Sequence, residues 1–333
     1  MCTAISMKSA DHYFGRNLDF TTPFETSVTI MPRSYKLYLR NGDTFNNPYG
    51  MIGMAMISDN YPLFFEATNE HGLSIAGLNF PENAVYYLPC DKKYNITPFE
   101  LPPWLLGSCR DIQEAKAALE RINLTNISYN NTLPLTPLHW LVADNNGAIV
   151  IESTKQGLEI YENPIGVLTN NPPFPYHIYN LSNYLNITAE TPCNRFAPNY
   201  DIKPYSYGMG GIGLPGDLSS ASRFVRAAFT KLNSVCNSTE EESVSQFFHV
   251  LSSVAQQRGC AKINYKYEIT LYSSCCNTQK GIYYYTTYEN SQITAVRMTE
   301  EALNSKTLIA YPMRKRQAVL YENEPPASLQ TAK

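Results

Sequence analysis

The sequence has no apolar run approaching the ~18 residues of a membrane span, and its N-terminus lacks the charged-then-apolar layout of a secretory signal. No membrane anchor is expected, and a cytoplasmic location is the default. Runs of Lys and Arg are also missing. The one cluster, Arg314-Lys315-Arg316, is short and reads as a solvated face, and a formal net charge of −3 argues against a nucleic-acid partner. The eight Cys, at 2, 90, 109, 193, 236, 260, 275 and 276, show no paired metal-type spacing, and adjacent Cys275-Cys276 makes a poor zinc clip. Reduced thiols without a bound metal are therefore expected. Without a signal, sequons such as those at Asn95, Asn126 and Asn237 read as Asn-rich loops rather than glycosylation sites.

What is present is a chain of 333 residues, 44% hydrophobic and 17% charged, with 25 Tyr. This is a globular composition, long enough for one large core. Its chemistry is concentrated at the start. If the initiator Met is removed, Cys2 carries a thiol and a free α-amine on one carbon, so nucleophile and base are one residue. An α-amine titrates near ~7.7–8.0 and a thiol near ~8.5, so a nearby cation can make the first a neutral base and the second a thiolate. Residues 2–7 alternate as a strand and residues 12–18 as a second, after the polar bend Ser9-Ala10-Asp11. That hairpin returns Arg16 and Asp19 to Cys2. With Ala10-Asp11 as a two-residue loop, Asp19 falls directly opposite it. Arg16 would favour the amine and the thiolate, and Asp19 would accept hydrogen bonds from the amine.

Further along, residues 27–31, 35–39 and 49–57 read as strands, and Tyr61 to Phe65 leads through Asn69-Glu70-His71-Gly72 to a strand ending at Asn79. Gly77 suggests a close approach to the backbone. Residues 98–106 and the capping-box start Asp111-Ile112-Gln113-Glu114, with Ile112, Ala115, Leu119 and Ile122 on one face, predict a helix pair covering a sheet. A hairpin around Asp144-Asn145-Asn146-Gly147 follows, then strands at 158–161 and 166–169, and long loops over 171–218. Ser219-Ser220 can cap a helix to about Asn233 that buries Phe224, Ala228 and Leu232, and a second helix spans Glu240 to Gln256. Tyr-rich strands at 267–272, 281–288 and 293–296 complete the pattern. Strands and helix pairs in this order predict an α+β fold, a four-layer αββα sandwich of two antiparallel sheets between helix layers. One domain is expected over 1–313, with a flexible C-terminal tail over 314–333.

Met-Cys-Thr-Ala with Phe14-Gly15-Arg16-Asn17-Leu18-Asp19 resembles the N-terminus of the choloylglycine hydrolase family, which contains the bile salt hydrolases and penicillin V acylases among the N-terminal nucleophile hydrolases. Four further stretches continue the match in the family's order: residues 69–80, Pro137-Leu138-His139-Trp140, residues 166–172, and Gly213-Leu214-Pro215-Gly216-Asp217 with Ser222-Arg223-Phe224. The resemblance implies the same sandwich and carries active-site roles onto several positions here. Asn79 would form the oxyanion hole and Asn170 would orient Cys2 or the oxyanion, although adjacent Asn171 cannot be separated from Asn170 by spacing. Arg223 would be a second active-site arginine. It sits in the first turn of a predicted helix, where a cation opposes the dipole, and this hints at a tertiary partner. Arg226 competes for that role but has a more ordinary surface reading. Leu18 and Phe65 match positions that line an apolar pocket.

The resemblance further implies an amidase that releases glycine or taurine from conjugated bile acids, needs no cofactor, and forms a tetramer in the bacterial cytoplasm. Asn79 resembles the bile salt hydrolases, since penicillin V acylases often carry Tyr there. Penicillin V acylase or homoserine lactone acylase is the alternative within the family. A non-catalytic carrier of bile acids or other amphiphiles, using the apolar pocket without chemistry, is the alternative of another class. His71 and His139 could suggest a Cys-His protease, but neither lies in the local signatures of such enzymes, and both read as structural.

Overall fold

The computed structural model describes residues 1–237 and 239–323. Period-two alternation appears as two large antiparallel sheets. The six-stranded sheet is built from β1 (Cys2–Lys8), β2 (His12–Phe20), β10 (Val167–Leu168), β11 (Ile269–Asn277), β12 (Ile282–Thr287) and β13 (Asn290–Arg297), in the order β10-β1-β2-β11-β12-β13. The eight-stranded sheet is built from β3 (Ser27–Met31), β4 (Met51–Ser58), β5 (Tyr61–Asn69), β6 (Ser74–Asn79), β7 (Leu138–Asp144), β8 (Gly147–Thr154), β9 (Gly157–Glu162) and β14 (Ile309–Pro312). Its order is β9-β8-β7-β6-β5-β4-β3-β14.

The sheets face each other through β1 and β2 on β6 and β7. Ala4, Ile5, Met54, Ala76, Leu78 and Leu141 belong to the apolar cluster that includes this interface. Outside, α1 (Leu101–Ser108) and α2 (Ile112–Leu119) cover the eight-stranded sheet, while α4 (Ser220–Asn233) and α5 (Glu240–Ser252) cover the six-stranded one. The short α3 (Phe174–Asn180) lies in the loop region over 171–218. The architecture is the αββα sandwich read from the sequence.

Local signals explain most boundaries. Asp111 caps α2 by accepting from the N–H groups of Gln113 and Glu114, and Glu114 accepts from the Arg110 N–H. Ser219 caps α4 through the Ser222 N–H. Four details differ from expectation. Ile122 lies in a short strand with Asn123 and Leu124 rather than on α2, and α5 stops at Ser252 with Val254 buried beyond it. Leu232, expected on the buried face of α4, is 57% exposed. The strand expected at 267–272 starts at Ile269 and continues to Asn277, carrying Cys275 and Cys276 into the core. Arg314 to Ala318 follow β14 without regular structure and hydrogen-bond the β12–β13 hairpin. The rest of the expected tail, beyond residue 323, lies outside the described residues. Among the described residues no helix is long and apolar enough to cross a membrane.

Candidate active site

The hairpin of β1 and β2 sets the site. Its loop is Ser9-Ala10-Asp11, one residue longer than the two-residue loop considered above, so Lys8 pairs with His12 and Cys2 with Leu18. Asp19 therefore pairs with Met1 and exchanges both backbone hydrogen bonds with it, at 3.0 and 3.1 Å. Because side chains alternate along a strand, that shift of one residue separates the groups onto two faces. Cys2, Leu18 and Arg16 face the space between the sheets. Asp19 and Thr3 face the helix layer. The thiol thus opens toward an apolar cavity, and the carboxylate lies behind the backbone nitrogen.

That cavity, about 450 Å³, is lined by Met1, Cys2, Arg16, Leu18, Phe24, Phe65, Asn79, Phe99 and Leu133, among others. Phe24 and Phe65 pack ring to ring at 5.3 Å on its wall. Gly77 lies where its position implied. A Cβ there would stand 3.1 Å from the Trp140 indole nitrogen, and its carbonyl accepts from Arg16 Nη1. Asn79 ends β6 at the cavity with its side-chain amide free of hydrogen bonds among the described residues, while its carbonyl accepts from Asn170 Nδ2 at 2.7 Å.

Asn170 organises the other side. Its Oδ1 accepts from the Cys2 N–H and from Arg223 Nη2, both at 2.8 Å. Arg223 also donates to the Cys2 carbonyl and to Thr3 Oγ1, so the cation that opposes its own helix dipole is held by the nucleophile's strand. The adjacent Asn171 turns away and donates to the Pro81 carbonyl at 2.8 Å. Arg226 ties Ser253, Pro215 and Asp217 carbonyls together and does not reach Cys2. His139 is buried between Glu152 at 3.0 Å and the Thr169 carbonyl at 2.8 Å, and His71 stacks edge-on against Tyr49. Neither histidine touches the site.

The electrostatics follow from burial. Arg16, Asp19 and Arg223 are all fully buried. Burial raises the Asp19 carboxyl, against the pull of Arg223, the N-terminus, Thr270 and Arg16. Burial also lowers Arg223, against the pull of Asp19 and Cys2. For Arg16 burial works against the charge, but Cys2, Tyr272, Glu66 and Asp19 outweigh it and raise the pKa. With Met1 in place, the terminal amine is lowered below 8.0, by burial first and by Arg223 and Arg16 in addition, while Cys2 and Asp19 oppose the shift. That amine binds the Asp19 carbonyl and the buried Glu268 carboxylate. Among the described residues, Arg16 Nη2, Asp19 Oδ2, Trp140 Nε1 and Glu268 Oε2 are buried at the site without a hydrogen-bond partner. Buried donors and acceptors left open in this way suit groups that arrive with a substrate or with the matured N-terminus.

Sequence reasoning missed Glu66, Thr3, Thr270 and Glu268. Thr3 and Thr270 bond Arg223 and Asp19 respectively, and ordinary strand residues of this kind carry no local signal. Glu66 did carry one, as a lone carboxylate at an inward position of β5.

A cysteine at the head of a strand, facing the space between two antiparallel sheets that helices flank, defines an N-terminal nucleophile hydrolase. The sequence matches the family model described as linear amide C–N hydrolases, choloylglycine hydrolase family, over residues 2–311. The chain belongs to that family. A bile salt hydrolase/transferase from Lactiplantibacillus plantarum is 54% identical over 315 residues, covering 94% of this chain and 97% of that protein. The crystal structure of the C2A mutant of conjugated bile acid hydrolase from Clostridium perfringens superposes with a TM-score of 0.90 at 35% identity, over 97% of this chain and all of that one. Penicillin V acylase from Agrobacterium tumefaciens shares the fold, with a TM-score of 0.71 at 18% identity over 92% of this chain and 90% of its own.

Proposed function

We propose that this protein hydrolyses the amide bond of glycine- or taurine-conjugated bile acids, releasing the free bile acid and the amino acid. The observation that carries the reading is that Cys2 stands at the end of an apolar cavity of about 450 Å³ while Arg16, Asn79, Asn170 and Arg223 converge on it with Asp19 behind. A cavity walled by Leu18 and Phe65 suits a steroid face.

The roles follow from position. Removal of Met1 frees the Cys2 α-amine, which takes the thiol proton as Sγ attacks the amide carbonyl. The oxyanion that forms is met by the free Asn79 side-chain amide. Asn170, whose Oδ1 already accepts from the Cys2 nitrogen, orients the amine. The α-ammonium returns its proton to the departing amine, leaving a thioester. Water then attacks that thioester, giving up a proton to the α-amine; the C–S bond breaks, the bile acid leaves, and the α-ammonium returns the proton to the Cys2 thiolate. Arg16 and Arg223 disfavour the protonated amine, and Asp19 accepts hydrogen bonds from it. No step calls for a metal or an organic cofactor.

Residues 1–313 act as one hydrolase domain, a reading supported by the pairing of β14 with β3. The protein works in the bacterial cytoplasm as a homotetramer. Exposed aromatic residues of the 176–212 segment, Phe196 and Tyr207 each at 95%, support self-association. Size-exclusion chromatography is expected to give four times the chain mass. The deciding assay is amino-acid release from glycocholate and taurocholate. Absence of release from both, with turnover of penicillin V, would transfer the assignment to the acylase. Binding without turnover of either would transfer it to the carrier.

A further inference from the structure

Glu66 stands on β5 at an inward position, in register with Ala76 and Met54, so its side chain enters the space between the sheets. A carboxylate there loses its hydration and is retained only if paired and hydrogen-bonded. Here both oxygens are occupied. Tyr272 Oη donates to Oε2 at 2.7 Å, Ser274 Oγ donates to Oε1 at 3.1 Å, and Tyr283 Oη also donates to Oε1. Three hydroxyl donors favour the ionised form, although burial pushes the carboxyl up. The cation facing it among the described residues is Arg16, whose Nε lies 3.9 Å from Oε2.

Arg16 is held by three backbone carbonyls as well, those of Asn17, Phe65 and Gly77. Its Nη1 donates to the Phe65 carbonyl at 3.2 Å and to the Gly77 carbonyl. Phe65 immediately precedes Glu66, so one segment of β5 supplies both a carbonyl and the countercharge. Strand register puts Arg16 two residues from Leu18, the partner of Cys2, on the same face of the sheet. The consequence is a guanidinium fixed in a plane, with Nε facing Glu66 and donating to the Asn17 carbonyl at 3.4 Å, Nη1 on the backbone of the facing sheet, and Nη2 without a partner among the described residues.

We propose that Glu66, in its cage of Tyr272, Ser274 and Tyr283, is a positioning residue that fixes the Arg16 guanidinium so that Nη2 stays free for the reacting groups at Cys2. The caging hydroxyls all come from β11 and β12, and Glu66 comes from the other sheet. The spacing between the two sheets is thereby tied to the aim of an active-site cation. This rests on the nucleophile reading of Cys2 given above, but not on the identity of the substrate.

The test uses Glu66→Gln and Tyr283→Phe in the full chain with Met1 removed. Two quantities are read: kcat and KM on glycocholate, and the rate of Cys2 alkylation by iodoacetamide followed at the N-terminal peptide. Glu66→Gln should lower kcat and the alkylation rate by roughly tenfold or more while KM changes by less than about threefold. Tyr283→Phe keeps both charges and should lose a few-fold with the same division. In an Arg16→Leu background, Glu66→Gln should slow alkylation by no more than about twofold further, since its effect passes through Arg16. An unchanged alkylation rate and kcat in folded Glu66→Gln, or an equal further loss without Arg16, would overturn the proposal. If Glu66→Gln does not fold, unchanged alkylation and kcat in Tyr283→Phe would overturn it alone. A wild-type protein inactive on conjugated bile acids but with a fast-reacting Cys2 would sink the substrate reading and leave the alkylation comparison to decide the role of Glu66.

Discussion

At the scale of single residues, the site depends on one atom more than on any other, the Cys2 nitrogen. While Met1 is attached it is an amide with no usable lone pair, and only its release makes it a base. Activity in a preparation should therefore follow the fraction whose mass is short by one Met. Full activity in protein retaining Met1 would defeat the mechanism. Cys2→Ser should lose turnover by roughly a thousandfold or more, because an alcohol is far less ionised near neutrality, and a carrier would keep its ligand affinity in the same variant. The two neighbouring asparagines allow a sharper comparison. Asn170→Ala removes the acceptor shared by Cys2 and Arg223 and should cost about 100-fold or more in kcat. Asn171→Ala, whose side chain bonds the Pro81 carbonyl and not Cys2, should leave kcat within about threefold.

At the scale of elements, the β1–β2 hairpin and its contact with β11 decide the geometry. Gly15 is present because the two strands approach closely. A Cβ there would stand 1.9 Å from the Ser274 carbonyl oxygen. Gly15→Ala should destabilise the fold by about 1–3 kcal/mol, measured by urea denaturation. It should also lower kcat, since Ser274 both receives the Arg16 N–H and holds Glu66. The α4 cap is a milder case. Ser219→Ala removes the acceptor for the Ser222 N–H and should cost about 1 kcal/mol. The helix boundaries here were legible because capping chemistry is local. The hairpin register was not, because a two- or three-residue loop fits the same bend of Ser9, Ala10 and Asp11. The packed faces decide between them. Only the longer loop sends Leu18 into the cavity and Asp19 to the Thr270 hydroxyl.

At the scale of the whole molecule, buried histidines link stability to pH. His12, between Ser6 and Thr278, and His177, on the Asn170 carbonyl, are both lowered by burial from 6.5 to about 4. Between those values the unfolded chain binds a proton at each position and the folded chain does not, so unfolding takes up protons as the pH falls. Stability should therefore be full above pH 6.5 and decline toward pH 4, by up to about 3 kcal/mol for each histidine. Denaturation midpoints across that range would measure it. His12→Gln should reduce the slope, and an unchanged slope would remove His12 from the account.

The sequence by itself determined the layers and marked Cys2 as the candidate nucleophile. Alternation, capping and turn residues act over a few positions, and a cysteine after the initiator Met has its chemistry wherever the chain then goes. The motifs around Asn79, Asn170 and Arg223 also marked those positions, through their order along the chain. Only the tertiary structure decided which asparagine meets Cys2, which face Asp19 occupies, and what restrains Arg16. Each of these depends on a register or a contact between strands far apart in sequence. Glu66 and Tyr283 are 217 residues apart, and no pattern within one strand can report that the hydroxyl and the carboxylate will meet once the sheets stack.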